Sequence, residues 1–321
     1  MGRYVIRRLL QAIPLLFIIS VIGFTLNHLV PGNPFQAELA LNPNATQEDI
    51  QRLVQKYGLD RPIHEQYLTW MGNVLRGDFG RSLLTRQPVL TMILERLPNT
   101  LLLTGSAFLI SLAVGVPLGI YCALHRNSAV DNALRAVAAF VTAFPAWWIG
   151  LIAIVVLGGM LGLFPQGGLY SVGVPGAESD VIDRLWHLAL PATVAGLDGS
   201  IGYLRIMRSQ TLDTMRQDFV RTAYAKGLSQ RLVMWGHVLR NAFLPVWTGF
   251  GGLLAGLLGG SALLEKTFSW PGIGRLVLDS AFKRDFPVIL ASLMISATLI
   301  LIGYIIVDIG YAWIDPRVRH E

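Results

Sequence analysis

The chain has 321 residues, of which 53% are hydrophobic and only 14% are charged, and its mean hydropathy is +0.52. This composition excludes an ordinary soluble domain, so most of the chain is expected to lie in lipid. The net charge of +6 is poor evidence for nucleic-acid binding, because the topology described below accounts for the excess of Lys and Arg. The only cysteine, Cys122, excludes an internal disulfide framework, and the six scattered histidines form no metal-binding motif.

Six apolar segments are long enough, or nearly so, for membrane-spanning helices, which need about 20 residues each. They cover residues 9–30, 99–124, 134–163, 187–207, 241–264 and 286–312. The fourth has the weakest hydropathy, because it contains Asp198 and ends in Arg205 and Arg208. The third is long enough to tilt, or to break near Pro145 or Gly158. The sequence therefore predicts an all-α, polytopic membrane protein with six transmembrane helices.

The distribution of Lys and Arg predicts how these spans are oriented. With the N-terminus inside, the cytoplasmic segments hold Arg3, Arg7, Arg8, Arg126, Arg135, the cluster from Arg205 to Arg240, Arg317 and Arg319. Because short cytoplasmic loops keep positive charge, we expect both termini in the cytoplasm. No small-residue cleavage site follows the first apolar run, so we expect the first helix to remain uncleaved.

The long segment between the first two spans, residues 31–98, is expected to form a small helical subdomain on the outer side. A capping box at Thr46 begins an amphipathic run that extends to Tyr57, and a second amphipathic run follows Pro62. A third run, P-V-L-T-M-I-L-E-R-L at 88–97, leads into the second span. It could lie in the membrane interface as an elbow.

Two spans carry glycines at helical spacing. In the fifth span, Gly252, Gly256 and Gly260 form a small-residue stripe, which predicts a close helix-packing face because lipid supplies no hydrophobic drive between helices. In the second span, Gly115 and Gly119 fit either such a face or the ordinary tolerance of membrane helices for glycine.

The stretch F-S-W-P-G-I-G-R, residues 268–275, follows the fifth span and is rich in turn-forming residues. We expect an outside turn that dips toward the membrane interface. Trp270 would anchor it there, because tryptophan favours the level of the lipid headgroups.

The cytoplasmic segment between the fourth and fifth spans, about residues 208–240, reads as a helix, a turn and a second helix. Apolar residues at helical spacing are Leu212, Met215, Phe219 and Ala223 in the first helix, and Leu232, Trp235 and Leu239 in the second. Gly227 ends the first stripe, and Ser229 can cap the second helix. This exposed segment could insert into a groove on a partner protein or rest on anionic lipid headgroups. Periodicity alone does not separate the two.

Several catalytic signatures are absent. The sequence contains no G-x-x-x-x-G-K-[ST] phosphate-binding loop, no G-x-S-x-G motif and no kinase signature. We therefore expect no enzyme activity and no cofactor in this chain, and any energy from ATP would come through another subunit.

The cytoplasmic segment resembles that of a known family. The run D-F-V-R-T-A-Y-A-K-G at 218–227, followed by H-V-L-R-N-A at 237–242, resembles the cytoplasmic loop of ABC importer permeases of the dipeptide, oligopeptide and nickel group. The general family signature is Glu-Ala-Ala, then any three residues, then Gly. This chain has Arg221-Thr222-Ala223 and then Gly227, a form common among peptide-type members. Further similar stretches begin at Gly58, Gln66, Gly77, Pro88, Glu95, His187, Arg205, Phe268, Arg284 and Asp315.

The resemblance implies a type I ABC importer permease fold and a B-type subunit of a bacterial inner-membrane importer. Its partners would be a C-type permease, two ATP-binding subunits that use ATP and Mg²⁺, and an extracytoplasmic substrate-binding protein. The implied substrates are di- and oligopeptides, with oligosaccharides, nickel chelates and glutathione as alternatives. The implied ATPase-coupling residues are Phe219, Arg221, Thr222, Ala223, Lys226, Gly227 and Arg231. The chain would divide into 1–30, an outer subdomain at 31–98, a permease core at 99–312 and a cytoplasmic tail at 313–321.

Three residues in the spans are candidates for the translocation path. Asp198 could contact a cationic part of the substrate or act as a gate, or it could pair with Arg205 or with the partner subunit. Trp147 and Trp148 could line the path or pack beside Pro145. A secondary transporter, the alternative of another class, would need paired ionisable groups in its spans, and Asp198 is nearly alone.

Overall fold

The computed structural model describes residues 2–29, 47–56, 58, 60–255 and 262–314. Within these ranges the chain is helical, and an isolated β-bridge joins Arg81 and Pro88. The α-helices are α1 Gly2–Leu29, α2 Gln47–Lys56, α3 Ile63–Leu75, α4 Val89–Leu124, α5 Ala129–Val141, α6 Ala146–Ala153, α7 Val181–Met215, α8 Asp218–Ala225, α9 Gln230–Val233, α10 Leu239–Ala242, α11 Leu244–Ala255, α12 Ala262–Thr267, α13 Ile273–Lys283 and α14 Phe286–Ile314. Single π-helical segments follow α6 at Ile154–Met160 and α9 at Met234–Val238.

Helices α4 and α7 form the centre of the bundle and run parallel. Arg184 donates to Asn99 and Ser111 donates to the Gly196 carbonyl, and each pair is separated by 85 residues in the chain. A constant offset between two helices means that they point the same way. At about 1.5 Å per residue, both are longer than the roughly 30 Å hydrocarbon core of a bilayer.

The contact between α4 and α7 depends on small residues. A Cβ atom at Gly115 would lie 2.4 Å from the Ser200 carbonyl oxygen, and one at Gly119 would lie 2.7 Å from the Leu204 carbonyl oxygen. Of the two readings for these glycines, close packing is therefore the correct one. The predicted stripe of the fifth span lies largely outside the described residues, which include neither Gly256 nor Gly260.

Helix α1 packs antiparallel to α14, and α11 contacts the same end of α14. Arg8 Nε lies 3.0 Å from Asp308 Oδ2, and the indole of Trp247 donates to the Val307 carbonyl at 3.2 Å. Farther along α1, a Cβ at Gly23 would clash with Leu293. These contacts define two ends of the bundle. At the proximal end α1 begins and α4, α7 and α14 finish; the distal end is opposite.

The third apolar segment is broken, as the sequence suggested. Helix α5 ends at Val141, Pro145 occupies the N-cap position of α6, and the two helix axes differ by 93°. Proline supplies no backbone N–H and disfavours helical geometry in the residue before it, which accounts for a break here. Gly158 lies in the π-helical segment that follows.

Length and composition identify three helices in the described parts of the chain that could cross a membrane. They are Arg7–Leu29, Val89–Leu124 and Phe286–Gly310, and the bent pair Ala129–Val141 with Ala146–Met160 would make a fourth. Neither α7 nor the α11–α12 segment is among them. The architecture is therefore an α-helical membrane protein, with three or four spans identified on this basis.

Helix α3 packs against the distal half of α1. The hydroxyls of Tyr67 and Ser20 are hydrogen-bonded at 2.8 Å, and His28 Nε2 lies 3.0 Å from Gln66 Oε1. The Phe24 ring lies between these pairs, 5.4 Å from the Tyr67 ring. His28, near the end of α1, thus joins the first span to the predicted subdomain. The predicted capping box at Thr46 lies outside the described residues.

The predicted interfacial elbow at 88–97 is wrong. The segment is continuous with the span that follows, in one 36-residue helix. Val89 and Ile93 are fully buried in a cluster with Ile273 of α13 and Val288 of α14. Protein therefore covers the face that carries Val89 and Ile93, although Leu94 stays 54% exposed.

The expectation for Trp270 is also wrong. Its side chain is fully buried in the protein, and the indole donates to the Asn99 carbonyl at 2.9 Å. Beside it, the buried carboxylate of Glu265 accepts from the Thr100 hydroxyl at 2.9 Å and from the Arg275 backbone N–H at 2.8 Å. This buried network, and not the membrane interface, positions the turn at 268–275.

Candidate functional site

A hairpin of short helices projects from the proximal end, directly after α7. Helix α7 ends at Met215, and α8 begins at Asp218 after a turn of two residues. The predicted continuous stripe from Leu212 to Ala223 is therefore wrong, because the break turns α8 relative to α7. On α8, Val220 and Ala223 are buried, whereas Phe219 is 42% exposed.

Gly227 ends α8 in a Schellman motif. The Gly227 N–H bonds to the Tyr224 carbonyl at 2.9 Å, and the Leu228 N–H bonds to the Ala223 carbonyl at 3.3 Å. Gly227 has φ of +77°, a conformation that glycine adopts without steric cost. The local sequence therefore predicted this helix end correctly, and a backbone requirement explains the glycine.

The second half of the hairpin buries a different face from the predicted one. Val233, Met234 and Val238 pack against Val220 and Ala223 of α8. The predicted face was Leu232, Trp235 and Leu239; only Leu239 is buried, while Leu232 is 53% and Trp235 is 68% exposed. The π-helical segment Met234–Val238 changes the angular spacing, so a count by 3.6 residues fails here. Ser229 stands at the N-cap of α9 but makes no side-chain cap.

The exposed side chains of this hairpin combine large apolar groups with cations. We call them the proximal surface: Phe219, Arg221, Thr222, Tyr224, Lys226, Arg231, Leu232 and Trp235. Exposed aromatic residues and arginines are the side chains that contribute most at protein interfaces. Of the predicted coupling residues, Ala223 and Gly227 do not belong to this surface: Ala223 packs inside the hairpin, and Gly227 forms the backbone turn that ends α8.

The polar groups of α8 are left largely available to a partner. The Thr222 hydroxyl donates to the Asp218 carbonyl of its own helix at 2.9 Å. Arg221 Nη1 lies 3.7 Å from Asp218 Oδ1, but both side chains are exposed, so this pair contributes little. The cations of the proximal surface can therefore meet an acidic partner without breaking a strong internal contact.

Two arginines connect α7 to the broken third segment. Arg208 donates twice to the fully buried carboxylate of Asp131, at 2.8 Å for each bond. One turn earlier, Arg205 donates to the Ala138 carbonyl at 3.2 Å and to the Thr142 hydroxyl at 3.1 Å. Helices α5 and α7 are thus held together on the side of the bundle that carries the hairpin.

Asp198 lies midway along α7 and is partly exposed. It makes no hydrogen bond or ion pair with any residue that the structure describes. Of the alternatives for Asp198, pairing with Arg205 does not occur, because Arg205 donates to Ala138 and Thr142 instead. Helix α7 packs along α4, which is long and apolar enough to cross a membrane, and an ionised carboxylate at the centre of a bilayer costs about 2.5–3.5 kcal/mol on insertion scales. This residue therefore needs a partner or water from outside the described chain.

The two tryptophans of the third segment lie just after its break. Trp148 stacks on Phe144 with ring centroids 4.9 Å apart and an interplanar angle of 13°. This contact across Pro145 favours packing for Trp148, although 41% of it stays exposed. Trp147 is partly buried. No hydrogen bond or ion pair in the described part of the chain joins either tryptophan to Asp198.

Sequence reasoning missed two buried carboxylates, Asp131 and Glu265. Each stands at an end of an apolar segment, where a charge ordinarily indicates solvent. The available signal was that other polar groups, such as Arg208 and Thr100, lie in apolar surroundings and need partners. Among the described residues, no group of His, Cys, Asp and Glu could hold a metal ion.

Comparison with known proteins assigns the family. Residues 115–320 match the model described as "Binding-protein-dependent transport system inner membrane component", and residues 1–104 match the model for the N-terminal part of such membrane components.

Similar proteins extend over the whole chain. The oligopeptide transport system permease protein AppB of Bacillus subtilis is 42% identical over 100% of both chains. The di/tripeptide transport system permease protein DppB of Pseudomonas aeruginosa is 36% identical over 99% of both. The glutathione transport system permease protein GsiC of Escherichia coli K12 is 37% identical over 100% of both. The chain belongs to the family of inner-membrane components of binding-protein-dependent transport systems.

Proposed function

We propose that this chain is the B-type permease subunit of an ATP-driven, binding-protein-dependent importer of di- and oligopeptides. The observation that carries the proposal is similarity, from one end of the chain to the other, to permeases named for oligopeptide and di/tripeptide transport. The same degree of similarity to a glutathione permease makes glutathione the second candidate substrate.

In the proposed topology the chain crosses the inner membrane six times, with the proximal end in the cytoplasm. Helix α7 and the α11–α12 segment supply the two remaining spans. The positive-inside distribution of Lys and Arg supports this orientation. It is also supported by the position of α8 at the end of the bundle where Arg8 meets Asp308. Helices α2 and α3 would then form the subdomain on the outer side.

The proposed mechanism is mechanical coupling through α8. The exposed face of α8, with Phe219, Arg221 and Tyr224, inserts into a groove of an ATP-binding subunit, which hydrolyses ATP with Mg²⁺. A two-residue turn connects α8 to α7, so displacement of α8 displaces α7 as well. Arg205 and Arg208 then carry the motion to α5, and the small-residue contact carries it to α4.

The proposed partners are a C-type permease, two ATP-binding subunits and an extracytoplasmic binding protein. The translocation path lies between the two permeases, and Asp198, Trp147 and Trp148 are its candidate residues in this chain. No catalytic residue is assigned here.

The test is purification of the chain from its native membrane, followed by reconstitution. We expect a second permease and ATP-binding subunits to co-purify, and the reconstituted complex to take up peptides only with ATP and loaded binding protein. Competition between a tripeptide and glutathione separates the two substrate candidates. Transport by the reconstituted chain alone would refute the proposal.

A further inference from the structure

Asp198 lies at mid-depth in the helical bundle. It stands halfway between Val181 and Met215, the two ends of α7. Its neighbour Gly199 is so close to α4 that a Cβ there would lie 2.4 Å from Ser111 Oγ. Ser111 is in the interior of the apolar helix Val89–Leu124, so the carboxylate is at the level of the bilayer core.

Among the described residues, no Lys or Arg at this depth neutralises Asp198. The apolar segments contain neither Lys nor Arg at residues 9–29, 97–124, 146–160, 244–264 and 286–314. On α7 itself, the next cation toward the proximal end is Arg205, which donates to α5. Toward the distal end, Arg184 donates to Asn99 of α4. The described part of the chain therefore supplies no counter-charge for Asp198, and an unpaired intramembrane carboxylate is unfavourable.

The carboxylate is accessible from one open side of α7. Asp198 is partly exposed, and Gly202, one turn further, is exposed with no neighbouring atom within 4 Å of a Cβ placed there. Arg205 and Ser209 continue the same side toward the proximal end, and both are exposed. These residues follow the helical spacing of four and three, so they form one open stripe. In contrast, the side toward α4 is closed by Gly196 and Ser200.

We propose that Asp198 binds the amino-terminal ammonium group of the peptide as it passes between the two permeases. The proposal rests on the proposed function, because it needs a peptide path along this side of α7. An ammonium group supplies the missing positive charge, and every unblocked peptide carries one whatever its side chains. A single fixed carboxylate can therefore serve many peptides, whereas a side-chain contact would select among them.

The test compares uptake of trialanine and N-acetyl-trialanine by the assembled complex in proteoliposomes. Binding protein is supplied at saturating concentration and loaded to equal occupancy with each peptide, checked by mass spectrometry, so that its own affinity does not enter. We expect the wild-type complex to import trialanine roughly tenfold faster than the acetylated peptide. Asp198→Asn should abolish this preference, and Asp198→Glu should retain most of it. Asp213→Asn, an exposed position at the end of the same helix, is the matched control and should keep the full preference.

The outcomes separate this proposal from its alternatives. An unchanged preference in Asp198→Asn would overturn it. Loss of the second permease from purified Asp198→Asn complexes would also overturn it, because the carboxylate would then pair with that subunit. If the wild-type complex imports neither peptide with ATP, the proposed function itself fails. Equal uptake of both peptides by an active wild-type complex contradicts only the role of Asp198.

Discussion

Asp131 and Arg208 form a buried, bidentate ion pair that joins the first turn of α5 to α7. Both hydrogen bonds are 2.8 Å long, and the Asp131 carboxylate is completely buried. The Asn127 backbone N–H also donates to this carboxylate, at 2.9 Å. The pair stands between the broken third segment and the helix that leads to the hairpin, so we expect it to affect both stability and the proposed coupling.

Replacing Asp131 with Asn should destabilise the protein by roughly 3 kcal/mol, because the largely buried Arg208 would lose its counter-charge. The midpoint of thermal unfolding in detergent, followed by tryptophan fluorescence, should fall by several degrees. Asp218→Asn is the control, since Asp218 forms an exposed pair with Arg221. It should change stability by less than about 1 kcal/mol. Equal midpoints for the two variants would contradict the assignment.

Gly227→Ala should impair coupling by straining the end of α8. An L-residue at φ of +77° costs about 1 kcal/mol or more and weakens the Schellman turn that orients the helix. We expect lower ATPase stimulation by loaded binding protein, and a stronger loss in Gly227→Trp. Asn tolerates this backbone region, so Gly227→Asn should retain more activity. Gly236→Ala, in the same hairpin with open space around it, should behave as wild type.

Truncation of Phe219 or Trp235 to Ala should weaken attachment of the ATP-binding subunits. Both side chains are exposed, so their loss should leave the fold intact while removing interface anchors worth about 2 kcal/mol each, or roughly thirtyfold in affinity. The measurement is the dissociation constant of the ATP-binding subunit on the reconstituted permease pair. Leu75→Ala, at an exposed position of α3, is the control. Equal binding of wild type and both variants would exclude the proximal surface as the docking site.

Gly115→Ala should separate α4 from α7, because the added methyl group would lie 2.4 Å from a backbone oxygen that cannot rotate away. We expect a lower unfolding midpoint and poor assembly with partner subunits. Gly105→Ala in the same helix has open space around it and should be neutral or slightly stabilising, since alanine favours helix. If Gly105→Ala is as harmful as Gly115→Ala, helix propensity rather than close packing explains the effect.

The features predicted correctly depend on short stretches of chain. The break near Pro145 follows from the geometry of proline, and the end of α8 at Gly227 follows from the need for a positive φ. The apolar lengths of α1, α4 and α14 identified these helices as membrane-spanning without any tertiary information. The family was also predicted correctly from the sequence, because its characteristic motifs are contiguous stretches of residues.

The wrong predictions share a different cause. Phe219 and Val220 are both apolar neighbours on α8, and only the docking of α9 decides that Val220 is buried and Phe219 exposed. Tryptophan is a residue type that favours membrane interfaces, yet Trp270 is buried in the protein, where its indole N–H donates to the backbone carbonyl of Asn99 in α4. The partner of Trp270, Asn99, lies far away in the chain. The residues that cover Val220 lie on a face whose position the π-helical segment Met234–Val238 has changed.

Sequence patterns alone predicted the membrane helices α1, α4 and α14, the break at Pro145, the end of α8 at Gly227 and the family of the chain. These properties follow from apolar length, backbone geometry and short contiguous patterns. Only the tertiary structure decided that Asp131 meets Arg208, that Arg205 is unavailable to Asp198, and that Gly115 touches Ser200. Such pairings join residues tens of positions apart in the chain. In an apolar bundle, the partner of a polar group is the one that lies next to it in space, and the spacing of residues along one helix does not show which residue that is.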